Sequence, residues 1–169
     1  MPHLDYDRFY RFCLLIDGIH KNINRLKVDL APDLGVKSVH IFWVYELLLH
    51  EEGLTAAELA SKTMISRSLI SREIEDLYEL GYIDMCKTAH GKRKNYNSRI
   101  YLTEKGITLA KSISGLGNQI QSSADKNITD EELSSFYSTL EKLSENLSEI
   151  SQIVDVSRKD SVSITMKTE

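Results

Sequence analysis

The sequence predicts a mainly α-helical protein with a small β element (α+β). Three observations carry this. The 169 residues include only two prolines and eight glycines, and 41% are hydrophobic, so long helices can form and a core can be buried. Three segments place apolar residues at alternating spacings of three and four. Between them lies a run of short elements punctuated by capping and turn signals.

The first stripe is Phe9, Phe12, Ile16, Ile19, Ile23, Leu26 and Leu30. Two more lie toward the C-terminus: Leu109, Ile113, Leu116 and Ile120, then Leu133, Phe136, Leu140, Leu143, Leu147, Ile150 and Val154. Such spacing keeps one apolar face on each helix and suits helix–helix packing with coiled-coil character. Thr129 and Glu132 form a capping box at the start of the last helix. Three long stripes ask for more partner surface than a small central domain offers, so a homodimer is expected.

The middle of the chain reads element by element. "VKSVHIFWVYELLLHEEG" predicts a helix closed by Gly53. "TAAELASKTM" predicts a short helix opened by a second capping box, Thr55 with Glu58. After the turn "KTMI", Ser66 is a good N-cap for a helix with Ile70, Ile74 and Leu77 as its buried stripe and Gly81 at its end. "YIDMC" and "RIYL" alternate like short strands, and Thr103 in "LTEKG" caps the next helix. The order helix, short helix, turn, helix, strand, basic hairpin, strand is a winged helix-turn-helix. The expected division is 1–34 as an N-terminal dimerisation helix, 35–103 as the winged helix-turn-helix, 104–156 as C-terminal dimerisation helices, and 157–169 as a flexible tail.

Charge is informative through its distribution. The net charge is −4, yet from Ser61 to Thr103 eight Lys/Arg face five Asp/Glu, whereas from Thr129 to Asp155 one Lys faces seven acids. A locally basic middle on an acidic body gives a directed field. In "SRSLISREIEDLYELGY" both arginines and all three serines fall in the first seven positions. A helix start carries partial positive charge, so arginines there need compensation from outside, such as phosphates. Arg67, Ser68, Ser71 and Arg72 are expected on the exposed face, where a helix-turn-helix reads base edges in the major groove. The segment from Lys87 to Arg99 holds Lys87, His90, Lys92, Arg93, Lys94 and Arg99 and no acid, which suits contact with phosphates or a narrow minor groove. The expected DNA-binding set is therefore Arg67, Ser68, Ser71, Arg72, Lys92, Arg93, Lys94 and Arg99.

"LTAAELASKTMISRSLISREIEDLYELGYI", joined by a wing to "IYLTEKG", resembles the MarR family of winged-helix transcription regulators. The resemblance runs from about Phe9 to Val154. It implies a homodimer on a pseudo-palindromic operator in double-stranded DNA, commonly a repressor, often released by a small ligand or by cysteine oxidation. It places the recognition helix at 66–80 and Arg93 at the wing tip. It departs from the family in the wing, where an Asp-x-Arg is common and "HGKRKNYNS" has no aspartate. Family members often bind aromatic or phenolic effectors between dimer helices and winged helix, which implies Phe9, Phe12, His40 and Trp43 as ligand-binding residues. Cys13 falls near the reactive cysteine of peroxide-sensing members, so a thiol-switched repressor is an alternative. A winged-helix protein-interaction module is another.

Other classes are set aside. Cys13 and Cys86 make no disulfide framework, no signal peptide or membrane span is expected, and a cytoplasmic protein is predicted. Cys13, Asp17 and His20 share a helix flank, but Cys13 and His20 stand about 10 Å apart along the axis, too far for one ion. No cofactor, metal site or catalytic set is predicted, and enzyme activity is not expected.

Overall fold

The computed structural model describes residues 3–85 and 98–165. Lys92, Arg93 and Lys94, together with Lys87 and His90, lie outside the described residues. The chain divides into two compact units, 1–118 and 119–169.

In the first unit, helix α1 spans His3–Leu34, with Pro32 in its last turn. Gly35, at φ +67°, takes the left-handed position that ends it: Gly35 N donates to Pro32 O (3.1 Å) and Val36 N to Ala31 O (3.2 Å). Helix α2 (His40–Leu48) buries His40, Ile41, Trp43, Val44 and Leu47. A two-residue strand β1 (Leu54–Thr55), which the sequence pattern does not announce, leads into helix α3 (Ala56–Thr63). The Thr55–Glu58 capping box forms as expected, with Glu58 N donating to Thr55 Oγ1 (3.2 Å) and Thr55 N to Glu58 Oε2 (2.8 Å). Met64 ends α3 in a left-handed conformation, φ 56°. Helix α4 (Arg67–Glu79) starts from the Ser66 N-cap and ends through Gly81, φ +74°, where Gly81 N donates to Tyr78 O and Tyr82 N to Leu77 O.

Strands β2 (Ile83–Met85) and β3 (Arg99–Leu102) pair antiparallel, Ile83 opposite Leu102. β3 also pairs with β1, Leu54 opposite Ile100, giving the order β1-β3-β2. Helix α5 (Glu104–Ala124) starts under the Thr103 cap, whose Oγ1 accepts from Gly106 N at 3.1 Å and donates to Gly81 O at 2.7 Å. Leu109 and Ile113, which the spacing assigns to a helix-packing stripe, are instead buried in the winged-helix core with Trp43, Leu59, Ile70, Leu77 and Ile83.

The end of α4 and the start of α5 are held at short range. Thr103 N donates to Tyr82 O (3.1 Å), and Lys105 Nζ donates to Leu80 O (2.7 Å) while lying over the Tyr82 ring. Gly106 makes this approach possible, since a Cβ there would lie 2.0 Å from Tyr82 O.

The second unit is dominated by helix α6 (Asp130–Thr165), opened by the Thr129–Glu132 capping box with Thr129 N donating to Glu132 Oε2 (2.8 Å). Its backbone is helical past residue 157, where the sequence predicts a flexible tail; Pro and Gly are absent from this stretch, so nothing local ends the helix earlier. Among the described residues no helix is long and apolar enough to cross a membrane.

Gly106→Ala is expected to lower stability by about 1–3 kcal/mol or more, because backbone rather than a flexible side chain stands in the way. Urea unfolding monitored by circular dichroism measures it; a midpoint equal to wild type would mean that this close approach is not part of the folded state.

Candidate nucleic-acid interface

Helix α4 turns Ile70, Ile74 and Leu77 into the core, and at 3.6 residues per turn this fixes the opposite face. Arg67, Ser68, Ser71 and Arg72 are all exposed there. Ser66 Oγ accepts from Leu69 N at 3.3 Å and lies 3.2 Å from Ser68 Oγ, so the cap and the first turn present hydroxyls beside two guanidinium groups. Arg72 Nε donates to Glu73 Oε1 at 3.3 Å, an exposed ion pair of little energetic weight. The structure thus brings four of the eight sequence-predicted DNA-binding residues together on one helix end.

Arg99 is placed differently. It is half-buried in β3, and its Nη1 donates to Gly53 O (2.6 Å) and Glu52 O (3.4 Å). Within the chain Arg99 has a structural role: it satisfies the carbonyls of the turn before β1. The turn lies 46 residues away in sequence, so charge counting along the wing could not reveal it.

The acids of α4 have a partner that the sequence pattern missed. Lys37, in the turn before α2, donates to Glu73 Oε2 at 2.7 Å and also to Asp76 Oδ2. The Lys37 hydrogen bond is the largest influence holding each carboxyl below its ordinary value, and the Asp76 and Glu73 hydrogen bonds in turn raise Lys37. His40 stands beside this bridge, with Nε2 4.0 Å from Glu73 Oε2, and burial first and Lys37 second push its pKa down. Two of the four acids that follow the arginines, Glu73 and Asp76, thereby share one flank of α4 and a single lysine, which offsets part of their charge. Only the spacing of Glu73 and Asp76, one turn apart, hinted at this.

The residues implied as an effector pocket do not assemble within the chain. Trp43 is fully buried in the core, Phe9 is 65% exposed and Phe12 half-buried. Phe9 precedes Ala31, where α1 meets the core, by about 33 Å of helix. His40 alone lines a cleft, of about 410 Å³, with Pro32, Val36, Lys37 and Asp76. Cys13 is half-buried on α1. Of the α1 stripe, Phe9, Ile19, Ile23 and Leu26 are exposed; on α6 so are Phe136, Leu143, Leu147, Ile150 and Val154.

These features define a winged helix-turn-helix protein, and comparison with known proteins agrees. Residues 42–87 match a family described as an HTH domain. The solved structure of the transcriptional regulator SlyA is similar at 21% identity, TM-score 0.73, covering 85% of this chain and 98% of that one. A putative MarR family regulator from Listeria monocytogenes, solved with 26mer DNA, is similar at 22% identity and TM-score 0.69, covering 78% of this chain and 85% of that one. The S. aureus MepR–DNA complex gives 17% identity and TM-score 0.68, covering 79% and 94%. No curated protein matches the sequence significantly. The chain has the fold of the MarR family regulators.

Lowered carboxyl pKa values contribute stability that is present above the unfolded values, 4.5 for Glu73 and 3.8 for Asp76, and is lost as pH falls through the folded ones. Lys37→Met is therefore expected to flatten the loss of thermal stability below about pH 4.5. Melting wild type and variant at about pH 5.5 and about pH 3.5, on either side of that range, measures this. Parallel losses would remove the bridge from the account.

Proposed function

We propose that this chain is a sequence-specific DNA-binding transcription regulator, a repressor that acts as a homodimer on a pseudo-palindromic operator. The observation that carries the reading is the exposed cluster of Arg67, Ser68, Ser71 and Arg72 at the N-terminal end of α4. That end of a second helix-turn-helix helix enters the major groove, where arginine pairs bidentately with guanine and serine serves base or phosphate. Support also comes from two similar structures that were solved with DNA.

The dimer rests on the uncovered apolar stripes of α1 and α6. Isolated exposed apolar residues need no explanation, but stripes running along two long helices mark an association surface. Each stripe keeps the three-and-four spacing that a second helical chain covers. Lys92, Arg93 and Lys94 would extend the contact to phosphates beside the major groove. Lys37 serves this reading as well, because its single positive charge offsets part of that of Glu73 and Asp76, which would otherwise repel the duplex more strongly.

DNA fragments selected from a random pool provide the operator. On it, Arg72→Ala is expected to weaken binding by about 1–3 kcal/mol and to relax preference at one position of each half-site. Wild-type affinity in this variant would refute the recognition-helix assignment. Replacing Lys92, Arg93 and Lys94 together is expected to flatten the fall of affinity with salt, since fewer counterions are released; an unchanged slope in gel-shift titrations would take the wing out of the interface. Half-sites should recur about one or two helical turns apart.

A further inference from the structure

His40 raises a question that DNA binding does not answer. It is fully buried, and among the described residues neither Nδ1 nor Nε2 has a hydrogen-bond partner. An imidazole left in this state is unfavourable, and a buried polar group without a partner calls for one. Its Nε2 faces Glu73 Oε2 at 4.0 Å. One ligand atom each from His40, Glu73 and Asp76 fall within 4.8 Å of one another, and two of the three residues, His40 and Asp76, also line the cleft.

We propose that His40, Glu73 and Asp76 form a binding site for a first-row divalent transition-metal ion, which exchanges with the Lys37 ammonium. One imidazole nitrogen and two carboxylate oxygens suit ions such as zinc, cobalt or manganese; magnesium and calcium favour all-oxygen sets. Metal–ligand bonds of about 2.0–2.2 Å place neighbouring donors roughly 3–3.5 Å apart, so closure asks the two carboxylates to move by about 1 Å. Both carboxyl side chains keep some exposure, 16% and 36%, and can rotate while His40 stays fixed by its burial. Lys37 already supplies positive charge at this point and its side chain is 58% exposed, so it can withdraw into solvent as the ion enters. The two negative charges then balance the ion. Ligation needs a neutral imidazole, and burial favours that form.

The site joins the first residue of α2 to the middle of α4. Its existence does not depend on what α4 contacts, so the test needs no DNA. The full chain, stripped of metal with a chelator, is titrated with Co²⁺ and with Zn²⁺ by calorimetry, the Co²⁺ arm also followed by its visible absorption. The expected result is one ion per chain, with binding weakened about 10–100-fold in Asp76→Asn and Glu73→Gln. Lys37→Met is expected to bind more tightly than wild type, by about tenfold, because the competing cation is gone. A purely structural bridge gives no such gain, and Lys37 is exposed enough for that variant to fold whatever happens to the other two. Binding that Asp76→Asn and Glu73→Gln leave unchanged would place the ion elsewhere and overturn the proposal. So would the absence of binding at millimolar ion in both wild type and Lys37→Met.

Discussion

The burial of one side of α4 against Trp43 and its neighbours governs the rest of the molecule. Ile70 and Leu77 are completely withdrawn from solvent, and Trp43, Leu59 and Ile83 close around them. With those positions fixed, the helical repeat leaves no choice about the others. Arg67, Ser68, Ser71 and Arg72 must face outward, and Glu73 and Asp76 must take the flank that meets the turn before α2. One packing constraint therefore creates both the cationic end of the helix and the compensated acidic flank. The short backbone approach at Gly106 and the hydrogen bonds of Thr103 and Lys105 then secure the far end of the same helix.

Local features were legible in the sequence. Capping boxes at Thr55–Glu58 and Thr129–Glu132, the Ser66 cap, the Thr103 cap and the Gly81 stop each involve residues within a few positions, and each forms. The core stripe of α4 was legible for the same reason, since three residues at helical spacing declare a face. Interactions that close across long separations were hidden. Lys37 reaches Glu73 and Asp76 across 36 and 39 residues, and Arg99 reaches Gly53 across 46. Strand β1 escapes the pattern because two residues carry no alternation to read. Aromatic periodicity does not separate core from pocket, so Trp43 resembles a ligand residue in sequence although its ring is sealed inside the core. Leu109 and Ile113 mislead similarly: their spacing is right for a helix seam, but the seam they fill is inside the winged helix.

Net charge is a poor guide to a protein of this kind. The chain is acidic overall, and α4 itself carries more acids than bases. Position decides the effect. Glu73 and Asp76 are held against Lys37, whereas Arg67 and Arg72 project from the end where the helix dipole already adds positive potential. A field of one sign at one end of a helix can thus be built on a molecule of the opposite sign, helped where acids such as Glu73 and Asp76 are held against a cation within the chain.

Thr55 links two structural systems through a single residue. Its backbone is paired with Arg99 as the last position of β1, while its hydroxyl accepts from Glu58 and starts α3. No spacer residue separates the ladder from the cap. A shift in the β1–β3 register would consequently displace the very residue from which α3 sets out.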